Sequence, residues 1–168
     1  EVYNDPNHIF VASFIGSPPM NLIKGSLAKG TFTGPNTQVK NLGKATHKNV
    51  VLGIRPEDME VSSAKGGNFL SKIYSLEPTG DQTLVAAWAG EQLVVAKGHR
   101  TFRQAIDTPI AFTFLKDRIY LFDGETGERV VIIAGVYRER VSPARGGSGP
   151  DKMISYEAAP GAAVYIKA

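Results

Sequence analysis

The chain has 168 residues, no cysteine and three scattered histidines, and its longest apolar run covers only residues 84–89. That leaves no disulfide framework, thiolate metal site or cysteine nucleophile, and no apolar stretch able to cross a bilayer as a helix. The length fits one domain or two small barrels sharing a core, and 42% hydrophobic with 21% charged residues is ordinary for a soluble globular protein. The net charge of +3 comes from 19 bases interspersed with 16 acids, whereas a nucleic-acid binder more often gathers its charge on one face. The densest basic stretch, Lys40, Lys44, His47 and Lys48, reads as a solvated loop. No charged leader opens the chain, so no secretory signal is expected, and Glu1 in place of Met points to a segment upstream.

In chain order, the first element is a short helix. Asp5 can cap it, Pro6 suits its first position, and Gly16 stands where a helix commonly stops. Phe10 and Phe14 lie four apart on one helix face and are expected to pack it onto the rest of the fold. Replacing a buried Phe14 with alanine would cost about 3 kcal/mol. Ser17-Pro18-Pro19 then forces an extended turn. From residue 22 the pattern is β, with predicted strands at 22–32, 38–42, 50–54, 59–62, 69–76, 83–88, 92–97, 110–115, 119–122 and 129–133. Residues 89–91 and 123–127 read as hairpin connections. So many short strands suggest a closed or nearly closed barrel, since closure removes exposed edges. Residues 143–150, with three glycines between two prolines, read as a loop, and residues 163–167 as a final strand.

Chemistry is sparse. Gly25-Ser26-Leu27-Ala28-Lys29-Gly30-Thr31 lacks the lysine a phosphate loop needs after its second glycine, and no nucleophile elbow or histidine pair at ligand spacing occurs. Arg55, Glu57, Asp58 and Glu60 form the one tight charge cluster. Pro56 suits the first turn of a short helix, Glu57 would be favoured near its start, and Arg55 is expected to fix the turn through carboxylate or carbonyl bonds. The cluster reads as structural, and no catalytic, cofactor-binding or metal-binding residue is assigned.

Four stretches carry a family likeness. Pro6-Asn7-His8-Ile9-Phe10-Val11-Ala12-Ser13-Phe14-Ile15-Gly16-Ser17-Pro18-Pro19-Met20-Asn21 resembles a motif of the ATP-binding subunits of maltose, multiple-sugar and glycerol-phosphate importers. Leu52-Gly53-Ile54-Arg55-Pro56-Glu57 resembles a second motif, and Glu77-Pro78-Thr79-Gly80-Asp81-Gln82-Thr83-Leu84-Val85 and Leu121-Phe122-Asp123-Gly124-Glu125-Thr126-Gly127 a third and fourth, in family order. Asn7-His8 stand where the family usually has Ala-Asn. Gln82 stands where it has an acid, which removes a charge from the Gly80–Thr83 turn.

The resemblance implies an all-β fold: OB-fold-like barrels of the transport-associated (TOBE) type behind a short N-terminal linker helix. Residues 1–21 would join a missing nucleotide-binding domain, 22–131 would form the barrel, and 132–168 match no motif. Gly16, Ser17, Pro18, Met20, Asn21, Arg55, Pro56, Glu57, Gly80, Asp81 and Thr83 become structural or interaction candidates. The implied role is a non-catalytic regulatory and dimerisation domain of a sugar importer's ATP-binding subunit, cytoplasmic and peripheral to the inner membrane. Its partners would be its own copy, the missing domain and, through that, the permease, with a cytoplasmic regulatory protein as a further candidate. Mg-ATP belongs to the missing domain, and no cofactor is expected here. A barrel that binds an oxyanion or small ligand is the first alternative. A module for single-stranded nucleic acid is the second, opposed by Phe112, Phe114, Tyr120 and Phe122, which sit in strand patterns that look buried.

Overall fold

Period-two alternation builds the molecule, and at its centre both phases of the alternation are apolar. A computed structural model describes residues 8–63 and 66–130. After helix α1 (Ile9–Phe14) come eleven strands. They are β1 (Asn21–Ala28), β2 (Thr31–Gly34), β3 (Thr37–Val39), β4 (His47–Ile54), β5 (Met59–Ser62), β6 (Phe69–Pro78), β7 (Gln82–Ala89), β8 (Gln92–His99), β9 (Pro109–Phe114), β10 (Tyr120–Asp123) and β11 (Arg129–Val130). They form one antiparallel sheet in the order β11-β10-β4-β1-β2-β3-β6-β7-β8, with β9 joining β6 to β5. The long β6 serves three partners: Phe69 pairs with Thr37 of β3, residues 69–72 with β9 and, past a register shift between Ile73 and Ser75, its far half with β7. The result is an all-β, barrel-like curled sheet with one short helix.

Inward-facing residues fill the main core. Phe32, Phe69 and Phe112 are fully buried, and Phe69 stacks on its cross-strand partner Phe112 with ring centroids 5.1 Å apart. Phe114, Tyr120 and Phe122 are buried too, so none of these aromatics offers a stacking platform. A second apolar cluster lies on the outer face of β1, β4 and β10, where Val51, Tyr120 and Phe122 alternate with the core-facing Val50, Leu52 and Leu121. Helix α1 covers it, so these strands are apolar on both faces.

The predicted strand 22–32 is two strands. Lys29 and Gly30 take φ of 48° and 75°, and Ala28 pairs directly with Thr31. A two-residue turn with both central φ positive has the hand that matches sheet twist, so the chain reverses there. The other nine predicted strands are present with ends shifted by up to three residues, although 129–133 is described only through Val130. The turn predicted at residues 89–91 is Gly90-Glu91, and residues 123–127 link β10 to β11. Asp5, Pro6, the loop at 143–150 and the strand at 163–167 lie outside the described residues.

The helix differs in its packing face. Phe10 and Phe14 are 65% and 72% exposed and lie against each other at 4.6 Å, so they do not hold α1 to the sheet. Ala12, wholly buried, and Ile9 do so instead. In a six-residue helix the face bearing the small side chain approaches the strands closely, which turns the two large rings outward.

Candidate functional site

The segment from His8 to Asn21 is tied to the sheet at both ends. His8 caps α1, its Nδ1 accepting from the Phe10 amide at 3.1 Å, while its Nε2 lies 3.2 Å from the Thr126 carbonyl. The Ile9 amide donates to the Gly127 carbonyl at 2.9 Å. Gly127 has φ of 73°, and a Cβ there would meet His8 and Ile9 at 2.8 Å, so glycine is required on both counts. The turn beneath is preorganised: the Asp123 carboxylate accepts from the amides of Glu125 and Thr126, each at 2.8 Å. Those two bonds, in that order of Thr126 then Glu125, hold its pKa below the usual carboxylate range, helped by His47, whose Nε2 lies 2.9 Å away.

At the other end Gly16, φ 113°, ends the helix, and exposed Ser17 with half-buried Pro18 lead to buried Met20. Met20 packs over Gly53, where a Cβ would come within 2.6 Å of its sulfur and 2.8 Å of the Phe122 ring. Arg55, 3% exposed, sends Nη1 to the Ile15 carbonyl at 3.2 Å, closing the turn onto the end of β4. Pro56 opens the 3₁₀ turn Pro56–Asp58, and Glu57 pairs with Lys97 of β8 at 3.3 Å. Burial, then the neighbouring Glu57 charge, push the Asp58 pKa up against the opposing pull of Arg118 and Arg55.

Asn21 is the most fully used polar side chain in this region. Its Oδ1 accepts from the Val95 amide at 2.8 Å, and its Nδ2 donates to the carbonyls of Val95 at 2.9 Å and Ile54 at 3.2 Å. One amide thereby joins β1, β4 and β8.

Eight of the sequence-derived candidates therefore converge: Gly16, Ser17, Pro18, Met20, Asn21, Arg55, Pro56 and Glu57 belong to one junction between the helical segment and the sheet, completed by the Asp123–Gly127 turn. Gly80, Asp81 and Thr83 do not join it. Gly80 and Asp81 form the exposed β6–β7 turn, where Asp81 accepts from the Thr79 hydroxyl at 3.1 Å. Thr83 is buried beyond it, its hydroxyl accepting from Arg103 at 3.1 Å and donating to the Arg100 carbonyl at 3.4 Å. Sequence reasoning overlooked Ala12, Gly53 and Gly127 as junction residues. A lone glycine inside a strand pattern, as at Gly53, is a signal of close backbone approach.

Among the described residues no group of three or more acids and histidines could hold a metal ion. No described helix is long and apolar enough to cross a membrane. The junction's hydrogen bonds hold the segment from His8 to Asn21 against the sheet.

Comparison with known proteins agrees with this geometry. Residues 16–59, from the helix stop to the start of β5, match the family model described as the MalK OB fold domain. The xylose/arabinose import ATP-binding protein XacK of Haloferax volcanii is 34% identical over 140 residues, 76% of this chain and 36% of that protein. The sn-glycerol-3-phosphate import ATP-binding proteins UgpC of Escherichia coli O6:K15:H31 and of Salmonella typhimurium are each 37% identical over 137 residues. That is 77% of this chain and 38% of each protein, so the chain spans little more than a third of these relatives' length.

Proposed function

Because this chain carries a MalK OB fold domain and is related to the ATP-binding subunits of sugar and sugar-phosphate importers, we propose that it is the non-catalytic regulatory and dimerisation part of such a subunit. It follows a nucleotide-binding domain that performs the ATP chemistry, and works at the cytoplasmic face of the inner membrane, reaching the permease through that domain. A cytoplasmic regulatory protein is a further candidate partner. The observation that carries this reading is the way the linker is built. Its C-terminal end is locked by Met20, Asn21 and Arg55, while its outer face presents the paired rings of Phe10 and Phe14 to whatever precedes it. A linker tied to the barrel at both ends and apolar on its outer side is suited to carry a rigid-body movement of the barrel to whatever rests on that side.

Pairing with a second copy gives the barrel its regulatory lever, because a two-fold contact buries the same patch on both copies. Calorimetric titration of the chain with Mg-ATP is expected to show no binding, and sedimentation at several concentrations to show a monomer–dimer equilibrium. Micromolar ATP binding would overturn the assignment of chemistry to another domain. A strict monomer at high concentration would remove dimerisation from the proposed role.

A further inference from the structure

Away from the residues of that junction, an open cleft lies over β6 and the end of β7. It encloses about 380 Å³ among Asn36 of the β2–β3 turn, Ser71, Lys72 and Tyr74 of β6, Trp88 of β7, and Asp107 before β9. That volume is at the small end for a ligand site. Tyr74 and Trp88 remain 52% and 41% exposed, set edge to face at 66° with centroids 5.2 Å apart. Two large rings left half in water beside each other are an apolar surface that a ligand can cover.

Apart from Ile73 the rest of the lining is polar, and Ser71, Asn36 and the backbone of Asp107 are held by hydrogen bonds. The Ser71 hydroxyl donates to the Trp88 carbonyl at 2.9 Å, and Asn36 Nδ2 donates to the Leu70 carbonyl at 2.8 Å. The Asp107 amide donates to the Ile73 carbonyl at 2.9 Å, in a left-handed backbone with φ of 65°. Among the described residues neither Lys72 nor Asp107 forms an ion pair. The cleft therefore offers a donor in Lys72, an acceptor in Asp107 and both kinds of group in the Asn36 amide, beside an edge-to-face pair of rings.

We propose that this cleft binds a neutral saccharide or polyol, whose C–H groups cover the exposed parts of Trp88 and Tyr74 while its hydroxyls bond to Lys72, Asp107 and Asn36. A sugar alternates polarised C–H groups, which suit the electron-rich faces of aromatic rings, with hydroxyls that both donate and accept. A purely apolar ligand would leave Lys72 and Asp107 desolvated without partners. A nucleic-acid strand needs a positive groove, and here Asp107 cancels Lys72. The cleft's own chemistry carries the site whether or not the chain pairs with a second copy.

Trp88 is the chain's single tryptophan, so its emission reports on this cleft alone. Titration with glucose, xylose, maltose and glycerol is expected to shift that emission saturably for at least one of them. A shallow site of this kind should half-saturate on the order of 1–10 mM. Asp107→Asn keeps a residue tolerant of the left-handed backbone and is expected to weaken the response at least about fivefold, one charge-assisted hydrogen bond becoming a neutral one. No saturable shift with any of the four, or an unchanged half-saturation in Asp107→Asn, would overturn the site. A saturable response to oligodeoxythymidine alone would replace it with a nucleic-acid platform. An emission shift that follows protein concentration without ligand would make the cleft a pairing surface instead.

Discussion

Asn21 does with one side chain what a neighbouring strand does with its backbone. Its amide exchanges a donor and an acceptor with Val95, as a peptide group in a ladder would, and spends its second hydrogen on Ile54. Removing it takes a partner from three buried or half-buried backbone groups, so Asn21→Ala is expected to cost about 2 kcal/mol, read from the urea midpoint. Asn21→Asp, which keeps the acceptor but loses both donors and faces two carbonyls with a charge, should be no better tolerated. Asp123 gives the second residue-scale expectation, with the sign set by its depressed pKa. The folded state favours its carboxylate, so its contribution is present above an unfolded pKa of about 3.9 and is lost as pH falls through the lower folded value. Asp58 works the other way, since burial raises its pKa and disfavours its charge in the fold. Asp123→Asn is therefore expected to flatten the acid limb of midpoint against pH below about pH 4, and an unchanged limb would show that other carboxylates set it. At this scale the sequence exposes some roles and hides others. Arg55-Pro56-Glu57 is legible because proline marks a turn wherever it stands. Nothing near Asn21 announces its partner, which lies 74 residues away.

The elements were nearly all readable because each strand carries its own alternation, and hydrophobic period is a local property. The one error, a single strand at 22–32, arose because a tight turn interrupts that alternation without any polar cluster. Lys29 is an unfavourable residue for its place, being a lysine at φ of 48° in a turn that prefers Asn-Gly. Lys29→Asn supplies that pair and should stabilise the fold by about 0.5 kcal/mol, visible as a raised urea midpoint. The backbone bond from residue 29 to the Thr46 hydroxyl, 3.1 Å, does not depend on the side chain and should survive. A lowered midpoint would mean that the Lys29 side chain holds the loop at 40–46 in a way its exposure does not suggest. Gly30 leaves no such freedom, because at φ of 75° a Cβ would run into the backbone of Gly43. What the sequence could not reveal at this scale is which face a helix turns inward. Phe10 and Phe14 form a convincing apolar pair four residues apart, and periodicity alone does not rank a pair of rings against an alanine.

That helix decides how the molecule meets its surroundings. Ala12, Ile9 and Met20 cover the outer face of β4 and β10, so the barrel is sealed there without help from either phenylalanine. Among the described residues the two rings lie against each other, and both remain mostly exposed. Replacing both with alanine in this chain should move the denaturation midpoint by no more than about 0.5 kcal/mol, the scale of an ordinary surface change. A buried pair would cost several times that, since one buried Phe→Ala alone costs about 3–5 kcal/mol. The same substitutions made in a longer protein that includes the upstream segment should behave differently if that segment rests on the rings. There they would remove apolar contacts between two folded bodies, lowering the melting temperature and uncoupling any ATP turnover from the barrel. A large loss of stability in the short chain would place the rings against residues outside 8–63 and 66–130. Unchanged stability and turnover in the longer protein would mean that the proposed preceding domain does not rest on the two rings.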